Sequence, residues 1–162
     1  MPKEIERKFL VASDEWRKNA DEGKYMRQAV ILAEEGRSLR IRLINNKKAR
    51  MTLKIDASQL SRHEFEYDVP LSHAREMLAL ANGSTIVKTR YEVPYKGFTW
   101  EVDVYEGKFE GLIVAEVEMK SEKDDPAIPS WIGREVTEDQ RFKNRAIAEG
   151  SLGDDWRNAV QD

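Results

Sequence analysis

Cysteine is absent from this 162-residue chain, so it can form no disulfide, no thiolate metal site and no cysteine nucleophile. That absence is compatible with a reducing compartment, and a cytoplasmic location is the expectation. Histidine is almost absent as well. His63 and His73 stand alone in unlike segments, which argues against a histidine-rich metal centre and leaves both as expected surface residues. No stretch approaches the roughly 20 apolar residues of a membrane span. The N-terminus is charged from Lys3 onward and carries no apolar signal core. A soluble protein without a membrane partner is therefore expected. Charge of one sign is missing too: ionisable residues make up 35% of the chain yet sum to only −3. That balance argues against a general nucleic-acid binder and still permits a local basic pocket. The length fits one domain with a real core, spanning residues 1–162 without a dividing linker.

What the chain has in abundance is alternation. In Lys3 to Val11 (KEIERKFLV), Glu4, Glu6 and Lys8 share one parity, while Ile5 and Phe9 share the other. In a strand, alternate residues face opposite sides, with same-side neighbours roughly 6–7 Å apart. Two carboxylates at that spacing can share a hard cation, and Lys8 beside them can hold an anion that the cation also touches. One alternating strand is usually just the solvated face of a sheet. Here the pattern recurs. Arg40 and Arg42 oppose Leu39, Ile41 and Leu43; Thr52 and Lys54 oppose Met51, Leu53 and Ile55; Glu64, Glu66 and Asp68 oppose Phe65, Tyr67 and Val69. Lys88, Arg90 and Glu92 oppose Val87, Tyr91 and Val93; Glu101 and Asp103 oppose Trp100, Val102 and Val104; Glu116, Glu118 and Lys120 oppose Ala115, Val117 and Met119.

Roughly eight strands with mostly short connections predict antiparallel neighbours. Asn45-Asn46 marks one hairpin, and Gly36 and Lys96-Gly97 mark two further turns. A helix is predicted after Ser13, with Trp16 facing inward, and another over Leu71 to Ala81, with Ser72 as its cap and Asn82-Gly83 as its end. Pro126 and Pro129 open a tail of different character, predicted to be helical from about 126. It would have a helical turn at Ser130–Gly133, a segment from Thr137 to Gly150 packing through Phe142, Ala146, Ile147 and Ala148, and a final helix in Ser151–Asp162. Trp16, Trp100, Trp131 and Trp156 are read as packing residues.

Two architectures satisfy this pattern: an open sheet with its charged face in water, or a closed barrel with its charged face inside. The charged parity favours the barrel. It is nearly all ionised rather than mixed with Ser, Thr, Asn and Gln, and its signs are grouped by strand. The fold class is therefore mainly β (α+β), an eight-stranded antiparallel closed barrel with flanking helices. A lumen so lined needs a highly charged ligand, because buried charges must be paired. A polyphosphate with a divalent metal meets that need.

Glu4-x-Glu6-x-Lys8, Arg40-x-Arg42, Thr52-Leu53-Lys54, Lys88-Thr89-Arg90, Trp100-Glu101-Val102-Asp103 and Glu116-x-Glu118, in this order, resemble the CYTH domain of the triphosphate tunnel metalloenzymes. Gly133-Arg134-Glu135-Val136-Thr137 and Arg141-Phe142-Lys143-Asn144 look like its compact bacterial members. The resemblance implies a tunnel that binds triphosphates with Mg²⁺ or Mn²⁺, one or two per site. Carried over, Glu4, Glu6 and Glu118 look like the main metal ligands. Asp103 and Glu116 look like further metal-holding or catalytic carboxylates. Lys8, Arg40, Arg42, Lys54, Lys88 and Arg90 look like phosphate ligands, with Arg134 as a further candidate near one mouth. Glu64, Glu66 and Glu101 stay open between site carboxylates and ion-pair partners of Lys54, Lys88 or Arg90. The leading function is hydrolysis of inorganic tripolyphosphate to pyrophosphate and phosphate. A class IV-type adenylyl cyclase, a thiamine triphosphatase and a non-catalytic polyphosphate or nucleotide sensor are the alternatives. The expected partner is a small triphosphate rather than a nucleic acid, and homodimerisation stays open.

Overall fold

The computed structural model describes residues 3–58, 61–81, 85–143, 146–147, 153 and 156–161, with the side chains of residues 3, 4 and 161 outside that set. The alternating stretches form strands β1 (Lys3–Val11), β2 (Lys24–Glu34), β3 (Arg37–Ile44), β4 (Lys48–Asp56) and β5 (Ser61–Asp68). After helix α1 (Leu71–Ala79) come β6 (Ile86–Tyr95), β7 (Phe98–Tyr105), β8 (Ile113–Glu118) and β9 (Ile132–Glu135), and helix α2 spans Trp156–Gln161. The strands run β5-β4-β3-β2-β6-β7-β8-β1 with every neighbour antiparallel, and a β5–β1 pairing returns the sheet on itself as a ring of eight. Ile5 faces Ser61 and Glu4 faces Arg62 at that join.

Local chemistry explains the turns. Lys47 N donates to Ile44 O across Asn45 and Asn46, whose φ values of 53° and 54° give the left-handed pair that matches strand twist. The helix expected after Ser13 is a 3-10 turn, Glu15–Asn19, that lays Trp16 into the core. Helix α1 begins behind Pro70 rather than on a Ser72 cap. Asn82-Gly83 and Ala148 lie outside the described residues.

Among the described residues, three apolar clusters hold the ring. Outside β1, β7 and β8, Phe9, Trp100, Val102, Ala115 and Val117 pack beneath Trp16 and Trp131. Outside β2, β3 and β4, Ala29, Ile41, Leu43 and Ala49 pack against Ala74 and Leu78 of α1. The third cluster occupies one end of the barrel. There the inward parity turns apolar, as Leu10, Ile86, Tyr105 and Val114, and the tail covers it with Val136, Phe142, Ile147, Trp156 and Ala159. Trp16, Trp100, Trp131 and Trp156 are all buried, as the sequence suggests.

The tail departs from the sequence expectation. Ile132–Glu135 is a strand, not part of a helical turn, and it pairs with the edge of β1 beyond β5, Phe9 facing Glu135 and Val11 facing Ile132. Gly133 permits that approach, since a Cβ there would stand 3.2 Å from the Leu10 carbonyl oxygen. Helical structure among the described tail residues is confined to a 3-10 turn at Gln140–Phe142, residues 146–147 and α2. His63 is half-buried rather than on the surface, its Nδ1 buried without a hydrogen-bond partner among the described residues, whereas His73 is exposed.

Candidate active site

The ring encloses a cavity of about 560 Å³, lined by ten basic and ten acidic side chains. That size suits a small ligand. Period two along each strand places these residues, and the antiparallel register decides which of them meet.

The acidic wall is built by β1 and β8. Glu6 lies opposite Glu118, and Lys8 lies opposite Glu116. The Glu6 carboxyl lies close to that of Glu116. Lys8 Nζ sits 3.4 Å from Glu116 Oε1 and donates to the Phe142 carbonyl at 2.9 Å. Burial pushes the Glu116 carboxyl up, but Lys8, the approach of Glu6, Arg90 and Lys88 outweigh it and hold Glu116 well below the usual range. Arg62 Nη2 stands 3.7 Å from Glu6 Oε1. Glu4 shares the parity of Glu6 and Lys8, but its side chain lies outside the described residues. Among the described residues, no group of three or more Asp, Glu, His or Cys side chains is gathered to hold a metal ion.

The basic wall is built by β3 and its neighbours. Arg40 and Arg42 are both buried and two residues apart, so they share the inward face. Arg40 Nη2 donates to Thr52 Oγ1 at 3.2 Å, and Arg42 Nε donates to Gln28 Oε1 at 2.7 Å. Burial, and then the charges of Arg40 and Arg90, push the Arg42 guanidinium well below its ordinary value. The two cations therefore oppose each other in a low-dielectric wall, which is what an incoming polyanion would relieve.

A third group stands behind this surface. Arg90 reaches the cavity, and its Nε and Nη2 donate to the two oxygens of Asp103 at 2.7 and 2.9 Å. Lys88 Nζ donates to the same carboxylate at 2.6 Å. Lys88 and Asp103 are 0% and 2% exposed and do not line the cavity. Burial lowers Lys88 to about 7 against the pull of Asp103. Burial pushes Asp103 up, but Arg90 and Lys88 overcome it and hold the carboxyl at about 2.

The structure thus brings Glu6, Lys8, Arg40, Arg42, Lys54, Arg90, Glu116 and Glu118 onto one cavity. It leaves Lys88 and Asp103 one layer behind. Arg134 is elsewhere: it is exposed on β9, outside the cavity wall, and its Nη2 donates to the Ala159 carbonyl at 3.1 Å. The open carboxylates Glu64, Glu66 and Glu101 line the cavity and are also ion-paired, Glu64 with Lys54 at 3.7 Å, Glu66 with Arg50 at 3.1 Å and Glu101 with Arg90 at 3.5 Å. Burial raises the Glu101 carboxyl above its usual value. Sequence reasoning missed Arg50 and Arg62, although both carry the inward parity of their strands. It also missed Gln28, whose stretch KYMRQAVILA shows no charge pattern, and the lining role of Lys143 in the tail.

A ring of antiparallel strands thus surrounds a cavity lined by paired charges. The CYTH domain family model matches residues 2–146, and the chain belongs to that family. It is 42% identical over 145 residues to the inorganic triphosphatase of Acetivibrio thermocellus, covering 89% of this chain and 92% of that one. It is 36% identical over 154 residues to the inorganic triphosphatase of Nitrosomonas europaea, covering 90% and 96%. A crystal structure of an inorganic triphosphatase superposes with a TM-score of 0.64 at 33% identity, over 91% of this chain and 95% of that one.

Proposed function

We propose that this chain hydrolyses inorganic tripolyphosphate to pyrophosphate and phosphate inside the barrel, with a divalent cation. The observation that carries the reading is the convergence of Arg40, Arg42, Lys54, Arg90 and Lys8 on one cavity opposite Glu6, Glu116 and Glu118. The names of the two relatives agree with it.

Phosphoryl transfer is carried by positioning and charge neutralisation more than by a covalent nucleophile. Arg40, Arg42 and Arg90 hold phosphate oxygens as forks, and Lys54 does so as a point charge. Lys8 exchanges the Phe142 carbonyl for a phosphate oxygen. Asp103, bonded to Arg90 and Lys88, fixes the fork that reaches the cavity. Water adds to the terminal phosphorus, the phosphoanhydride P–O bond breaks, and pyrophosphate leaves with that bond's electrons.

Glu6, Glu116 and Glu118, with Glu4 at the same parity, would hold Mg²⁺ or Mn²⁺. Their hard oxygens suit such ions, and the Glu6 carboxyl already lies close to that of Glu116. When bound, the cation offsets phosphate charge and lowers the pKa of a coordinated water. The test is phosphate release from tripolyphosphate before and after chelation with EDTA. Activity lost on chelation and restored by Mg²⁺ or Mn²⁺ supports the reading; undiminished activity in EDTA would overturn the cation's role.

A further inference from the structure

Gln28 lies on β2 directly opposite Arg42 of β3 in the strand register. Its side chain is 2% exposed, and its Oε1 accepts from Arg42 Nε at 2.7 Å. Along the inward parity of β2 it is flanked by Met26 and Val30, so it is the polar group of an otherwise apolar stretch of wall. Such a buried amide is retained where it has a partner to satisfy.

The partner is informative. Among the described residues Arg42 Nη2, which is buried, has no hydrogen-bond partner, although the residue lines the cavity. The other polar groups near Arg42 are already committed. Thr52 accepts from Arg40, and Arg50, opposite Arg42 on β4, is a like charge held by Glu66 and Asp68. Asp103 is held by Lys88 and Arg90. Gln28 thus anchors the Nε of the Arg42 guanidinium, and Nη2 makes no hydrogen bond among the described residues.

We propose that Gln28 is a positioning residue that sets the Arg42 fork for a phosphate oxygen of the substrate. The inference rests on the cavity being the polyphosphate site. The choice of an amide has a physical reason. A carboxylate at this position would hold Nε equally well, but it would cancel the charge the substrate needs and repel the substrate itself. A neutral acceptor orients the cation and leaves its charge available.

The test is a double-mutant cycle on the full chain, with KM and kcat for tripolyphosphate and Tm measured for each variant. Gln28→Met keeps the volume and removes the acceptor; Gln28→Leu serves as the second apolar variant should the first fail to fold. Either raises KM about 10-fold, the scale of one hydrogen bond to a charged group, while kcat changes less. In an Arg42→Ala background the same change costs no further affinity, because Gln28 acts through Arg42. An equal loss in both backgrounds, or an unchanged KM, overturns the proposal. Gln28→Glu also raises KM, and a wild-type KM there would remove the argument for a neutral acceptor. If the wild-type chain binds tripolyphosphate without turning it over, the proposed function fails separately. The same cycle, read by calorimetric binding of tripolyphosphate in EDTA, then decides the role of Gln28.

Discussion

Asp103 shows how much depends on the depth of a single side chain. It shares the inward parity of Glu101, and the sequence suggests a metal-facing carboxylate. Parity tells which way a residue points but not how far it reaches, and Asp103 is used up behind the wall by Lys88 and Arg90. Removing one partner of such a buried set costs about 3–5 kcal/mol, so Asp103→Asn should lose that much stability at pH 7. Its folded pKa of about 2 lies below the unfolded value of 3.8, so the carboxylate's stabilisation is present above about pH 4 and is lost as pH falls through about 2. That pH-linked part amounts to about 2 kcal/mol. Urea denaturation at pH 7 and pH 2.5 should therefore show a smaller gap between wild type and variant at the lower pH. An equal gap would contradict the assignment. Glu118 is the opposite case, a carboxylate on the cavity and facing Glu6 in the register. Glu118→Gln should cut kcat/KM at least about 100-fold while near- and far-UV circular dichroism stay native. Full activity would remove Glu118 from the site.

At the scale of elements, what was legible followed local chemistry. Two consecutive Asn residues give the β3–β4 turn, and period two gives the inward faces of β1 and of β3 through β8, while β2 is legible only as a strand. What was not legible depended on a distant edge. Ile132–Glu135 is four residues long, too short for alternation to register, and it is a strand because β1 has an edge left open beyond β5. Arg134 goes with it, onto Ala159 and away from the cavity. Gly133 is the residue that permits the pairing. Gly133→Val would set its side chain against the Leu10 carbonyl, with the Cβ alone at 3.2 Å. It should destabilise by about 1–3 kcal/mol, the usual cost of forcing atoms into a packed site. Thermal melting checks this, and an unchanged Tm would show that β9 yields without cost. The Arg7–Glu135 fork, at 2.7 and 3.0 Å, ties the same strand to β1.

Across the whole molecule, the barrel divides its interior between two tasks. One end is apolar and closed by the tail through Val136, Phe142, Ile147 and Trp156. The remainder is charged, and there burial and the charges of Arg40 and Arg90 oppose the Arg42 guanidinium. A polyanion relieves that opposition, so tripolyphosphate in EDTA should raise Tm. At 100 times its Kd, the gain of about 2.7 kcal/mol corresponds to about 5–10 °C. Differential scanning fluorimetry checks this, and no shift would contradict a triphosphate-binding lumen. The ring and its charged lining were readable because charge grouped by strand along one parity has few other homes. The apolar end was not, because the tail segments that cover it follow no strand period. The most direct measurement is phosphate release from tripolyphosphate, pyrophosphate, ATP and thiamine triphosphate, with Mg²⁺ and with Mn²⁺, while cAMP is followed in the ATP reaction. Phosphate from tripolyphosphate well above the other substrates is the predicted result. cAMP from ATP, or triphosphate binding with no phosphate released from any substrate, would contradict it.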